Sequence, residues 1–155
     1  MAGNKSLVTL SSEELVQVCR WVKSFHLSRN IKNFHRDMSD GVLVAEILKQ
    51  LYPKHVDLHN YFRCNSTRNK LINWQTLNQK VLRRLNICLD EGMLLDLATG
   101  SNDILEVLLF ELMSKQRLES YKYYHHLEPV ADVVLDGNNS DTTATHDEGE
   151  HLAEQ

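Results

Sequence analysis

The sequence predicts an all-α protein, and three observations lead to this prediction. Only two prolines and six glycines occur in 155 residues, which is too few for the many turns of a sandwich or barrel. Apolar residues recur at helical spacing in several stretches, and helix-capping residues precede them. A hydrophobic content of 42% is sufficient for the core of one domain. We therefore expect a bundle of four principal helices with additional short helices.

The first helix is predicted over residues 12–25. Ser11 and Glu14 have the spacing of a capping box, in which each side chain accepts a hydrogen bond from the other residue's backbone amide. The apolar residues behind this box follow the helical period; they are Leu15, Val18, Trp21, Val22 and Phe25. Because Trp21 lies on this stripe, we expect its indole in the core rather than on a binding surface.

The second helix is predicted to be the most buried element. Either Ser39 or Asp40 can accept the free backbone amides at its start. The segment Val42–Leu51 is apolar around most of its circumference, which is typical of a central helix. Pro53 disfavours helical backbone at the residue before it and ends the helix.

Three further helices complete the predicted bundle. Ser66 and Thr67 are suited to cap a third helix near residues 67–85, whose apolar stripe includes Trp74. A short helix over residues 91–98 is expected to end at Gly100, because glycine readily adopts the left-handed backbone of a helix C-terminus. The last long helix is predicted from residue 101 to residue 122 or beyond.

The charge of the chain divides it into two unequal parts. The net charge is −4, but the first 122 residues contain all 17 basic groups and 13 of the 21 acidic ones, a net of +4. We therefore predict an N-terminal arm (residues 1–10), a mildly basic domain (11–122) and an acidic tail (123–155). The composition of the tail predicts disorder in isolation. The basic domain indicates an acidic partner. The acidic tail has two options, folding back on the basic domain or reaching a basic neighbouring protein, and we expect the second.

Several function classes are excluded by what the sequence lacks. No apolar run is long enough to span a bilayer, and the N-terminus lacks a secretory signal, so we expect a cytoplasmic protein without a membrane partner. Cys19, Cys64 and Cys88 are far apart, which favours buried reduced thiols over disulfides or a zinc site. Phosphate-binding glycine loops and nucleophile motifs are absent. We expect neither an enzyme nor a cofactor, and no metal.

The first candidate binding site is a basic loop after the first helix, containing Arg29, Lys32, His35 and Arg36. Basic side chains on a loop held between packed helices are typical of contacts to an acidic partner. A solvated basic loop is the alternative. Arg36 also has the option of a structural ion pair with Asp37 or with Asp40.

The second candidate is a basic cluster on the third helix. Lys80 and Arg84 are one helical turn apart and Arg83 lies beside both, so a continuous helix would place all three on one face. Because like charges on one face repel each other, the cluster favours an acidic partner. The alternative is a solvated helix face.

The residues at the helix starts resemble those of the calponin-homology fold, most closely in the segment 40–47 and at Trp21. Within that fold the sequence resembles the sperm flagellar protein 1 family, which is calponin-homology and microtubule-associated. The matching motifs occur in the right order over about residues 12–118; they are Leu27-Ser28-Arg29, the segment 36–41, His59-Asn60-Tyr61, Asn73-Trp74 and the segment 80–86.

The family resemblance implies a calponin-homology bundle that binds tubulin in microtubules of cilia and flagella. It favours contact of the basic loop with the acidic tubulin surface, chiefly through Arg29 and Arg36. The tubulin-binding residues that we expect are Arg29, Lys32, Arg36, Lys80, Arg83 and Arg84. The alternatives are actin binding, which usually needs two such domains in tandem, and a general protein adaptor. Nucleic-acid binding is disfavoured, because such modules are more basic than a domain of net +4.

Overall fold

Residues 9–127 are described by the computed structural model, except for the side chains of Asn102 and Leu127. Within that range the chain forms helices and no strand, which confirms the predicted all-α class. The α-helices are α1 (Ser12–Lys23), α2 (Phe34–Asp37), α3 (Val42–Leu51), α4 (Thr67–Lys80), α5 (Glu91–Thr99) and α6 (Asn102–Leu127). Two 3-10 turns, Leu58–Asn60 and Leu82–Leu85, connect them. The predicted acidic tail beyond residue 127 and most of the N-terminal arm lie outside the described residues.

The start of α1 has the predicted capping box. The Ser11 amide donates to Glu14 Oε2 at 2.8 Å, and the Glu14 amide donates to Ser11 Oγ at 3.2 Å. Trp21 is in the core, as predicted, and its Nε1 donates to Gln116 Oε1 on α6 at 2.6 Å. This hydrogen bond joins the first and last helices of the bundle.

The helix α3 is central, as its composition predicts. Its buried residues are Leu43, Val44, Ala45, Ile47 and Leu48. Gly41 precedes it with φ of 77°, and a Cβ there would lie 3.4 Å from both Trp74 and Leu77. Asp40 Oδ1 accepts a hydrogen bond from the Val42 amide at 3.0 Å, which is one of the two predicted capping arrangements. Close packing and a left-handed backbone thus both require glycine at position 41.

The third principal helix is shorter than predicted. It begins after Ser66, whose side chain accepts from the Asn69 amide, but it ends at Lys80 instead of near residue 85. Val81 departs from helical geometry, and the tighter turn Leu82–Leu85 follows. In a 3-10 turn, residues three apart lie directly above each other, so Leu82 and Leu85 are buried together.

The last two helices close the bundle. Gly100 ends α5 with φ of 84°, as predicted, and α6 continues through Leu127, in agreement with a last helix that reaches residue 122 or beyond. The buried residues of α6 lie in its first half; they are Leu105, Leu108, Leu109, Leu112 and Met113. Farther along α6, the Tyr52 hydroxyl donates to Glu119 Oε2 at 3.1 Å.

The environment of the cysteines differs from the prediction. All three thiols are unpaired, but Cys19 and Cys64 are only half-buried and Cys88 is exposed. The expectation of buried thiols is therefore wrong. Cys19 lies beside the buried residue Val18 on α1, whereas Cys64 and Cys88 lie in irregular segments that no helical period directs to the core. In the described part of the chain, no helix combines the length and apolarity needed to cross a bilayer. Residues 9–127 also contain no group of three or more metal-ligating side chains.

Candidate functional site

Two residues of the predicted basic loop line a pocket together with two cationic residues from elsewhere in the chain. The pocket has a volume of about 640 Å³. Its lining residues are Arg29, Arg36, Asp37, Ser39, Asp40, Arg63, Cys64, Asn65 and Lys70. We call it the basic pocket, because four cationic and two acidic side chains among the described residues give it a net positive charge.

Arg29 forms part of the frame of the basic pocket. Its guanidinium Nη2 donates a short hydrogen bond to the backbone oxygen of Asp37 and lies 3.6 Å from Asp40 Oδ2. The Arg29 side chain is 26% exposed and that of Asp40 is 5% exposed. The Nε atom of Arg29 is buried and has no partner among the described residues. Most of the Arg29 charge is therefore committed to holding the loop against the start of α3.

Arg36 is the exposed cation of the same loop. Its side chain is 73% exposed, and its Nε lies 3.6 Å from Asp37 Oδ1. The sequence suggested that Arg36 pairs with Asp37 or with Asp40. In the structure Arg36 pairs with Asp37, and Arg29 lies beside Asp40 instead. An ion pair this exposed contributes little to stability, so the Arg36 guanidinium is available to a partner.

Asp37 organises the backbone of the basic loop. Its Oδ2 accepts hydrogen bonds from the amides of Lys32 at 2.8 Å and Asn33 at 2.9 Å. These backbone hydrogen bonds, first that of Asn33, hold the pKa of the Asp37 carboxyl below its ordinary value, and the charges of Arg36 and Arg29 act in the same direction. The carboxylate therefore stays ionised at neutral pH and accepts both backbone hydrogen bonds of the loop.

The floor of the basic pocket is tied to the core of the bundle. Lys70 Nζ donates to Ser39 Oγ at 2.7 Å, and Ser39 Oγ donates to the Arg36 backbone oxygen at 2.7 Å. Asn73 Nδ2 donates to the backbone oxygen of Asp40 at 2.9 Å, and Trp74 Nε1 donates to that of Ser39 at 2.8 Å. Three residues of α4 thus fix the segment that carries the loop.

The remaining wall of the pocket comes from the segment before α4. Arg63 is exposed there, and Cys64 is half-buried beside it. Burial raises the pKa of the Cys64 thiol, the Asp40 charge raises it further and Lys70 lowers it. A thiol with a raised pKa is a poor nucleophile at neutral pH.

The predicted residues Lys32 and His35 do not line the pocket. Lys32 is exposed at the start of the loop. His35 Nε2 lies 2.9 Å from Glu106 Oε1, so this side chain attaches the short helix α2 to α6. Of the four side chains in the predicted loop, the structure brings Arg29 and Arg36 together in the pocket, leaves Lys32 beside it and uses His35 as an anchor.

The second predicted cluster lies at the end of α4 and in the turn after it. Lys80, Arg83 and Arg84 are all exposed. The continuous helix that was expected through these residues is interrupted, because the α-helix ends at Lys80 and the two arginines belong to the 3-10 turn. Arg84 Nη1 lies 3.5 Å from His55 Nδ1. We call these three residues the basic turn; it shares no lining residue with the basic pocket.

Arg63 and Lys70 were not predicted as site residues. Lys70 lies on α4 one helical turn before Trp74. Because residues four apart share a helix face, a helix with Trp74 in the core places Lys70 near the edge of the core. That signal was present in the sequence. The place of Arg63 in the pocket was not predictable, because the loop between α3 and α4 has no periodic pattern that indicates which way its side chains point.

Comparison with known proteins supplies the family. Residues 18–114 match the family described as "CH-like domain in sperm protein". Sperm flagellar protein 1 of Bos taurus is 43% identical over 119 residues, which are 77% of this chain and 48% of the relative. The Homo sapiens protein of that name is 43% identical over 111 residues, 72% of this chain and 46% of the relative. The Xenopus laevis protein is 36% identical over 139 residues, 90% of this chain and 59% of the relative.

The chain spans roughly half the length of these relatives. The family match covers more than half of the chain and contains α3, α4 and α5 with every residue of the basic pocket. An all-helical bundle agrees with this assignment. The chain therefore belongs to the family of CH-like domains found in sperm proteins.

Proposed function

We propose that the chain is a microtubule-binding module of the flagellar cytoskeleton, with a structural rather than a catalytic role. The observation that carries the proposal is the basic pocket, in which cationic side chains surround a cavity on a rigid frame. The surface of tubulin is strongly acidic, and carboxylates form charge-assisted hydrogen bonds with Arg and Lys. The similarity to sperm flagellar proteins supports a flagellar location.

Within the basic pocket we assign different roles to the arginines. Arg36 and Arg63 are exposed and supply the contacts to tubulin carboxylates. Arg29 is bonded to Asp37 and Asp40, so it keeps the pocket open and contributes its charge at short range. Lys32 at the pocket edge adds to the attraction of the partner during encounter.

The basic turn is proposed as a second contact. Lys80 ends the helix α4, which packs against α5, and Arg83 follows in the 3-10 turn, so an ordered backbone carries both exposed side chains. Two separate cationic groups on one domain can engage two acidic patches of a polymer surface. Binding should then weaken additively when each group is removed, because distant sites act independently.

The test is co-sedimentation of the full chain with taxol-stabilised microtubules over a range of salt. We expect saturable binding that weakens as the Debye length falls to about 8 Å at physiological ionic strength. Failure of the folded wild-type chain to pellet with microtubules at low salt would refute the proposal. Actin filaments in a parallel series test the alternative function, and preferential pelleting with actin would replace the microtubule assignment.

The pocket itself is tested with a charge-reversal pair and a matched control. Arg36→Glu with Arg63→Glu should lower microtubule affinity by roughly tenfold or more. Arg20→Glu with Lys122→Glu changes the net charge equally at exposed positions outside the pocket and should have a much smaller effect. Equal losses in both variants would mean that only net charge matters and that the pocket is not the contact surface.

A further inference from the structure

A second groove lies between the segment after the basic turn and the helices α5 and α6. Its volume is about 750 Å³. It is lined by the segment 86–90 and by residues of both helices, among them Met93, Asp103, Ile104, Val107 and Glu111. These residues include none that line the basic pocket, so the groove is a separate surface of the domain.

The floor of the groove is apolar. Ile87 and Leu108 are buried beneath it, while Met93, Ile104 and Val107 are only half-buried and therefore present apolar surface to solvent. Apolar surface gathered in a concave site, rather than scattered singly, is typical of a binding groove. The floor is thus suited to aliphatic side chains of a ligand.

The wall of the groove is held rigidly. Asn78 is buried on α4, and its side chain bonds to both backbone groups of Leu89: Oδ1 accepts from the Leu89 amide at 3.2 Å, and Nδ2 donates to the Leu89 oxygen at 3.0 Å. Asp90 Oδ1 accepts from the Met93 amide at 2.9 Å and caps α5. A groove with fixed walls loses little conformational entropy when it binds a ligand.

The rim of the groove is acidic. Asp96, Asp103 and Glu111 are exposed around it, and the lining residues in the described part of the chain include no Lys, Arg or His. On α6 the residues Asp103, Val107 and Glu111 follow one another at four-residue spacing, so one helix face presents acid, apolar and acid groups in a row. The two carboxylates are about 12 Å apart along the helix axis.

We propose that this groove binds an amphipathic helical segment of a protein partner, with aliphatic residues on one side and Lys or Arg flanking them. The apolar side of the segment lies on Ile104 and Val107. Its cations pair with Asp103 and Glu111, which requires two basic residues about two helical turns apart. The chain's own acidic tail does not fit, because residues 123–155 contain neither Lys nor Arg. This proposal does not depend on the proposed binding of microtubules.

The probe for this proposal is a synthetic helical peptide of about 16 residues, with Leu along one face and Lys along its flanks. It is titrated into the full chain, and the methyl resonances of Met93, Ile104 and Val107 are followed by NMR. We expect saturable shifts of these three methyl groups. A peptide with Glu in place of every Lys should leave them unchanged. Since a cationic peptide can also associate with the acidic tail, only shifts in the groove count as support.

Charge-reversal variants give the decisive comparison. Asp103→Lys and Glu111→Lys should each weaken peptide binding by roughly three- to tenfold, because an attractive charge pair becomes a repulsive one. Glu13→Lys makes the same change of charge on α1, outside the groove, and should leave affinity unchanged. Equal affinity of all three variants, or shifts confined to tail residues, would overturn the proposal, as would the absence of any groove shift at saturating peptide.

Discussion

Trp74 Nε1 donates a hydrogen bond of 2.8 Å to the backbone oxygen of Ser39, and this bond joins the centre of the bundle to the floor of the basic pocket. Trp74 is completely buried, whereas Ser39 also accepts a hydrogen bond from the pocket residue Lys70. A Cβ atom added to Gly41 would lie 3.4 Å from the same indole ring. Core packing therefore determines where the basic loop is held.

Replacement of Trp74 by Phe should destabilise the fold. Trp74→Phe removes the indole donor and leaves the buried Ser39 oxygen without that partner, at a cost of about 1–3 kcal/mol. The free energy of unfolding is measured by urea denaturation followed by circular dichroism. Trp21→Phe is the matched control, because Gln116 Oε1 is only half-buried and can be rehydrated. Equal losses in both variants would contradict a special role for the Ser39 bond.

Truncation of Leu48 should reveal the central position of α3. Leu48 is completely buried, so Leu48→Ala should lower the free energy of unfolding by about 2–5 kcal/mol through lost apolar contact and the remaining cavity. Val16→Ala on the exposed side of α1 serves as a control and should change stability little. A melting temperature for Leu48→Ala equal to that of the wild type would show that the site is not part of a tightly packed core.

The two arginines of the basic loop should differ in how much each contributes to the stability of the fold. Arg29→Ala leaves Asp40 and the Asp37 backbone oxygen without their partner, so we expect a loss of about 1–3 kcal/mol in the free energy of unfolding. Arg36→Ala should cost less than about 0.5 kcal/mol, because that side chain is largely exposed. Both variants are compared by urea denaturation and by microtubule pelleting. A stability loss larger for Arg36→Ala would reverse the assigned roles.

The Asp37 carboxyl should make stability depend on pH in the acidic range. Its pKa in the folded chain lies below the ordinary value of 3.8 because backbone amides donate to it. The stability it supplies is therefore fully present above pH 3.8 and is lost as the pH falls through its folded pKa. Asp37→Asn should be less stable than the wild type at pH 7, with the difference shrinking below pH 3.8. A difference that is constant over this range would exclude the carboxylate as its source.

Removal of the acidic tail should have little effect on microtubule affinity at physiological salt. Residues 1–127 have a net charge of +4 and the full chain one of −4, but screening over about 8 Å weakens competition by dispersed tail charges. The two chains are compared by co-sedimentation across salt concentrations. A large gain on truncation that disappears at high salt would establish self-inhibition, in place of the predicted use of the tail for a neighbouring protein.

Local and periodic features of this protein were predictable from its sequence. The capping box at Ser11, the C-terminal glycine of α5 and the core positions of Trp21 and Trp74 were all predicted correctly. Each depends on residues within a few positions of one another, so backbone geometry alone decides it. The buried character of α3 belongs to the same class, since apolar residues around a helix leave no face for solvent.

The composition of the basic pocket and the end of α4 were decided by tertiary structure. Lys80 was expected inside a longer helix, but Val81 is buried with φ of −120°, and the backbone continues as the 3-10 turn Leu82–Leu85. The basic pocket joins residues that are far apart in the chain: Arg29 and Arg36 before α3, and Arg63 and Lys70 around the start of α4. The sequence by itself determined the principal helices, the capping residues Ser11 and Gly100 and the central position of α3. Only the packing of α4 against the start of α3 decided which charged residues line the basic pocket. The reason is that contacts between residues far apart in the chain produce no periodic pattern in the sequence.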